Sequence, residues 1–245
     1  IYLSIQNADP LRTLNFLLLS NFDYYIINHR GDYMTIDEKD LLNSILASLN
    51  RIDYIKPEDI PNIDLYMDQV TTFMNEQLAE TKRYPDDKIL TKTMINNYTK
   101  NNLLPAPDKK KYSKEHLLTL IFIYYFKGIL SINDIQNLLN PITDRYFSKN
   151  GDLDLTAIYE EVFGLEKEEA GMLAKDITRK FNTSSHTFPQ APPQEREILQ
   201  LFSFLCMLSF DVYVKRMLIE KIIDAKLMKK PEEKSRKTSK ESRKK

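Results

Sequence analysis

The chain has 245 residues, its 35 Lys and Arg balance 35 Asp and Glu, and 42% of it is apolar, which is ample for a core. A single cysteine, Cys206, excludes an internal disulfide and any multi-cysteine zinc or iron–sulfur site, and it suits a reducing, cytoplasmic setting. The zero net charge is a partition: residues 229–245 hold nine basic and three acidic side chains, residues 82–127 hold ten and four, and the remainder stands at −12, so only a uniformly basic binder is excluded. Five Gly, no Trp and many Leu, Ile, Asn and Lys predict an all-α protein.

Residues 1–33 open without Met, and their apolar pieces follow neither a helical nor a strand period. They lack the basic start and small-residue cleavage site of a signal peptide. Met34 follows Arg30-Gly31-Asp32-Tyr33, whose codons can form a purine-rich ribosome-binding run, so residues 1–33 are expected to be a translated leader or a disordered arm. Residues 34–58 predict a short amphipathic helix over 37–49 and then a connector that Pro57 and Pro61 mark. Residues 63–80 set Ile63, Met67, Val70, Met74 and Leu78 at three- and four-residue steps, the stripe of one helix. Residues 82–88, with Pro85, read as a loop.

Thr91 can cap a helix whose inward face is Ile95 and Tyr98 and which Pro105 fixes after Leu103-Leu104. Residues 105–111 are too polar and Pro-rich to be helical. Ser113 can cap the next helix, in which residues 117–126 are apolar on nearly every side and must be buried. Ser131, with Asp134 three positions on, opens a helix over 132–139 that Pro141 is expected to stop.

Two helices, a polar Pro/Lys loop and two more helices resemble the DNA-binding head of the mercury-resistance-regulator (MerR) type. The matching residues are Leu90-Thr91-Lys92-Thr93-Met94-Ile95-Asn96-Asn97-Tyr98, then Leu103-Leu104-Pro105, then Tyr112-Ser113-Lys114-Glu115-His116-Leu117 and Ser131-Ile132-Asn133-Asp134-Ile135. The likeness covers roughly residues 65–139. It departs from the pattern in a stretched helix-turn-helix connection at 82–88, in Asn96-Asn97 where the family has Arg-Tyr, and in a short wing. The run from Asp59-Ile60-Pro61-Asn62-Ile63-Asp64-Leu65-Tyr66-Met67 through Tyr98 also resembles a family of low-GC Gram-positive bacterial proteins known as domain of unknown function 1836. That second resemblance extends over approximately residues 59–228 and implies a bacterial cytoplasmic protein, with no particular activity.

With Ile95 and Tyr98 facing inward, Lys92, Thr93, Asn96, Asn97 and Lys100 share the opposite helix face. Asn can pair with adenine in the major groove, and Lys can reach guanine or phosphate. Lys109, Lys110 and Lys111 on a short wing would clamp the flanking backbone, which sets orientation and salt-dependent affinity. Asn and Lys are abundant throughout the chain, so the same face also fits a merely solvated helix. Tyr98 and Tyr112 are expected in the core, Tyr112 anchoring the wing, and His116 is expected at the surface.

Residues 152–181 predict one or two helices, with Asp152 or Asp154 as a cap and Val162, Leu165, Leu173, Ile177 and Phe181 as apolar points. Asn150-Gly151-Asp152 suggests a calcium loop, but the register would put Tyr146 first and Ala157 twelfth, so no metal site follows. Residues 183–193 read as a linker and 195–228 as one long helix, apolar nearly all round in its first half. The bland expectation for it is the centre of an intramolecular bundle; the alternatives are a dimer interface or the lining of an effector pocket. Its longest apolar stretch, 198–210, falls short of the ~20 residues of a membrane span, so no membrane helix is expected.

Three dispersed histidines, no Gly-rich phosphate loop, no Gly-x-Ser-x-Gly and no His-Glu-x-x-His argue against an enzyme, and no cofactor is expected. The expected architecture is all-α. It comprises a MerR-like winged helix-turn-helix head with a short wing at 59–141, a C-terminal helical bundle domain at 142–228 for dimerisation or sensing, and a basic disordered tail at 229–245. The expected function is a cytoplasmic transcriptional regulator that binds duplex DNA, with a homodimer through the 195–228 helix and an unidentified small-molecule effector as open partners. The alternative is a helical protein-interaction adaptor whose head no longer binds DNA.

Overall fold

A computed structural model describes residues 38–49, 54–149, 151 and 153–227, and these are mostly helical. The expectations for residues 1–33 and 229–245 lie outside the described residues. Helix α1 (Glu38–Leu49) falls in a first unit, residues 1–51, and residues 52–245 form a second.

The second unit begins with a short strand. β1 (Leu65–Tyr66) runs antiparallel to β2 (Lys111–Tyr112), with Leu65 opposite Tyr112 and Tyr66 opposite Lys111. An extended backbone sends successive side chains to opposite faces, so Leu65 and Tyr112 go into the core and Tyr66 stays out. Segment 63–80 is therefore not one helix: Ile63 is exposed, and α2 (Met67–Gln77) starts only after the strand, where the Gln69 side chain accepts from the Tyr66 N–H at 2.9 Å. A 3₁₀ turn (Ala79–Thr81) and the loop at 82–88 follow, then α3 (Lys92–Lys100), capped by Thr91 Oγ1 accepting from the Met94 N–H. α3 ends with Asn102 in the left-handed conformation (φ 55°), which turns the chain so that the N–H groups of Leu103 and Leu104 both reach the Tyr98 carbonyl.

α4 (Lys114–Phe126) is the centre of the core. Leu117, Leu118, Leu120, Ile121 and Ile123 are fully buried, each removing apolar surface that stabilises the fold by at most about 1.5–3 kcal/mol. α5 (Ile132–Tyr146) starts as expected at Ser131, whose Oγ accepts from the Asp134 N–H, but Pro141 does not stop it. Proline removes the bond to the Asn137 carbonyl at a cost of ~3 kcal/mol in a helix interior. Buried Leu139 and Thr143, on either side of it, hold the helix to the core, and Thr143 Oγ1 donates to the carbonyls of Leu139 and Asn140.

α6 (Leu155–Gly164) is capped by Asp154, whose carboxylate accepts from the Ala157 N–H at 2.8 Å. Its buried stripe is Leu155, Tyr159 and Phe163, a strict four-residue step; Val162 and Leu165 are exposed. Tyr159 and Phe163 join Tyr54, Phe122 and Tyr125 in an aromatic cluster, and the Tyr159 hydroxyl donates to the Ile55 carbonyl at 2.8 Å. One apolar core thus runs from Ile55 through α4 to Ile223.

α7 (Glu166–Ser184) packs against α8 (Pro193–Lys226). Ile177 and Phe181 are buried as expected, and Phe181 meets Phe204 edge to face. The buried Lys180 ammonium bridges Asp176 on its own helix and Asp211 on α8. α8 is not the centre of a bundle: Phe204 and Ile223 are its buried residues, and Ile198, Phe202, Phe210 and Tyr213 are each more than 60% exposed. Among the described residues it is the helix long and apolar enough to cross a membrane, with an 18-residue window of mean hydropathy 1.5 that is 6% buried. The interruptions within 198–210 had concealed that length in the sequence.

Candidate nucleic-acid interface

The residues expected to read DNA lie on α3. Ile95 and Tyr98 are buried, while Lys92, Thr93, Asn96, Asn97 and Lys100 are all exposed. The local cause is the spacing: the two apolar residues stand three apart, and the polar residues occupy the turns between them. Two neighbours alter the chemistry of this face. The Lys92 ammonium is paired with the Asp68 carboxylate in the first turn of α2, and Asn101 Nδ2 donates to the Asn97 carbonyl, which leaves the Asn97 side chain out of that bond. From the other side, Gln136 of α5 donates to the Asn101 carbonyl at 2.7 Å and fixes the end of α3.

The wing is a hairpin turn built from lysines. The Lys111 N–H donates to the Asp108 carbonyl at 2.8 Å, and between them Lys109 and Lys110 both take positive φ, 48° and 66°. Two successive left-handed residues are what the primed hairpin turns require, and Asn-Gly fills them without strain; two lysines there cost roughly 1–2 kcal/mol each. Lys109 and Lys110 are exposed, and the Lys111 ammonium lies over the Tyr66 ring, 5.5 Å from its centroid. Tyr112 anchors the base of the wing in the core, where burial raises its pKa.

His116 is buried, contrary to the surface position expected from its place in a first helical turn. Its Nδ1 accepts the Ser113 N–H at 3.0 Å, closing a capping box, and its ring packs edge-on against Phe147 and Tyr112. Nε2 is buried without a hydrogen-bond partner. Burial lowers the imidazole pKa; the backbone of Ala106 and Pro105 and the charge of Glu115 offset this only in part. The residue therefore sits as a neutral wedge between both ends of the wing and α5.

A feature the sequence did not indicate is a cleft of about 500 Å³ lined by Lys82, Arg83, Lys88, Lys127, Tyr124 and Tyr125, among others. Lys127 donates to the Ile89 carbonyl at 2.5 Å and stands over the Tyr124 ring, and its burial lowers its pKa. The positive segment at 82–127 thus has cations at the loop before α3 as well as on α3 and the wing. Among the described residues no group of His, Cys, Asp and Glu could hold a metal ion.

Residues 55–162 match the family model of a domain of unknown function, number 1836. The match starts at the buried Ile55 and ends within α6, so it spans α3, the Lys109-Lys110 turn and the core beneath them. No curated protein and no solved structure matches the chain.

Proposed function

We propose that the protein is a cytoplasmic, MerR-like transcriptional regulator that binds duplex DNA in a sequence-specific way and acts by binding rather than by catalysis. Strand, helix, helix, paired strand and two further helices follow one another in the order of a winged helix-turn-helix head. In this reading Asn96 and Asn97 read adenine edges in the major groove, Lys92 and Lys100 reach guanine or phosphate, Thr93 makes a backbone contact, and Lys109 to Lys111 hold the flanking strand. The observation that carries it is the wing tip, where two lysines occupy strained left-handed positions that Asn-Gly would fill at no cost. Strain of that kind persists at sites where the side chains serve a purpose.

One observation favours a second reading. Lys92 is already neutralised by Asp68, which suits an adaptor whose head has lost DNA and whose anionic remainder meets a basic partner. Selection of duplex targets from a random library by the purified full chain separates the two: enrichment of a defined motif supports the regulator, and retention of no duplex at low salt supports the adaptor.

A further inference from the structure

The cleft beside the loop at 82–88 is held open by the fold, and its charge is one-sided. Lys82, Arg83, Lys88 and Lys127 line it, four cations against the single carboxylate of Asp87. One oxygen of that carboxylate is engaged by the loop's own backbone, accepting the Tyr84 N–H at 2.9 Å, and the Asp87 N–H donates back to the Tyr84 carbonyl at 3.0 Å. Both ends of the loop are tied to the C-terminal end of α4: the Thr81 and Tyr124 hydroxyls are hydrogen-bonded to each other, and Lys127 donates to the Ile89 carbonyl. The walls are thus set in advance, which spares an incoming ligand the cost of ordering them. Lys127 is the second observation. It is half-buried, and the groups it meets, the Ile89 carbonyl and the Tyr124 ring, are both neutral. Among the described residues no carboxylate forms an ion pair with it. An ammonium has three N–H donors, of which the Ile89 carbonyl takes one, and a charge withdrawn from water is ordinarily matched by an opposite one.

We propose that this cleft binds a small free polyanion of the phosphate-ester or diphosphate class, held by Lys127 from the end of α4 and by Lys82, Arg83 and Lys88 from the loop. Size and charge select the class. A cleft of about 500 Å³ falls within the range of small-molecule sites, and its surplus of cations suits a ligand with more than one negative charge. The Arg83 fork matches two phosphate oxygens at once, and the lysines act as point charges around it. A DNA backbone suits the cleft less well, because its phosphates carry one charge each and are strung along a convex rod, whereas these cations line a concavity. The site also touches α3: Ile89, which Lys127 holds, leads through the buried Leu90 to the cap residue Thr91. Occupation therefore stiffens the approach to that helix.

The test is calorimetric titration of the full chain with inorganic pyrophosphate, against sodium chloride at matched ionic strength. It contains no DNA, so it stands or falls separately from DNA reading. The wild type should bind at a single submillimolar site, and amide hydrogen exchange should slow over residues 82–91. Lys127→Met, which keeps the length of the side chain, should weaken binding by roughly tenfold or more, and Arg83→Ala with Lys88→Ala, both exposed and clear of the core, should weaken it at least several-fold. Lys175→Ala with Lys215→Ala removes as much charge from exposed positions on α7 and α8 and should leave the titration unchanged. No binding beyond the salt control overturns the proposal, as does binding that the cleft variants and the control pair weaken alike. If pyrophosphate does not bind and the cleft variants instead weaken retention of a random duplex, the cations serve the DNA backbone and the proposal is also overturned.

Discussion

Lys92 at the start of α3 is ion-paired with Asp68 in the first turn of α2, so a cation on the exposed side of α3 is held by the protein itself. Both side chains are mostly exposed, and such a pair contributes at most about 1 kcal/mol to stability. Its consequence for binding is larger. Asp68→Asn should release Lys92, raise affinity for any duplex several-fold and steepen the salt dependence by about one unit of slope, as titrations at several salt concentrations would register. An unchanged salt slope would mean that Lys92 does not face DNA.

The wing tip sets stability against affinity. Lys109→Asn with Lys110→Gly gives the left-handed turn residues that adopt it freely and should raise the unfolding free energy by about 2–4 kcal/mol. The same change removes two cations and should weaken duplexes of every sequence alike. Chemical denaturation and gel shifts on one preparation check both; a variant equally stable, or equally tight on DNA, contradicts the account of the wing.

His116 makes stability depend on pH in a defined direction. Its folded-state pKa lies below the ordinary 6.5 because burial disfavours the imidazolium. The unfolded chain then binds a proton more readily than the folded one, so the contribution is complete above about pH 6.5 and is lost as the pH falls below it. Denaturation midpoints between pH 8 and pH 5 should decline for the wild type, and the decline should be shallower in His116→Leu. Equal declines would place the titration elsewhere.

Tyr159→Phe should cost about 1 kcal/mol by removing the hydroxyl that donates to the Ile55 carbonyl, while keeping the aromatic cluster. Hydrogen exchange would show the loss first in the segment around Ile55. A variant as stable as the wild type, with unchanged exchange there, contradicts that role for the bond.

What could be read in the sequence was local. Thr91, Ser113 and Ser131 are caps whose bonds close within three residues, and the Ile95/Tyr98 spacing alone fixes which side of α3 is wet. What could not be read depends on distant partners. Pro141 remains helical because the core grips Leu139 and Thr143 on either side, and residues 65–66 become a strand because residues 111–112 supply the other half. The Lys-Lys turn has no Asn-Gly signal, so residues 105–111 read locally only as a non-helical loop, and the short wing was expected from the family resemblance alone. His116 is buried by Phe147, which lies beyond the end of another helix. α8 misled most: apolar composition says that a helix needs cover, and it does not say whether the cover comes from its own chain.

The central claim is that α3 reads DNA, and Asn96 tests it most directly, because it is exposed and lies outside the ion pair that holds Lys92. The measurement is target selection from random duplexes with the wild type and Asn96→Ala in parallel. The account predicts a defined motif for the wild type whose adenine preference at one position disappears in the variant, with nonspecific affinity little changed. An identical motif from both proteins, or none from either at low salt, would contradict it.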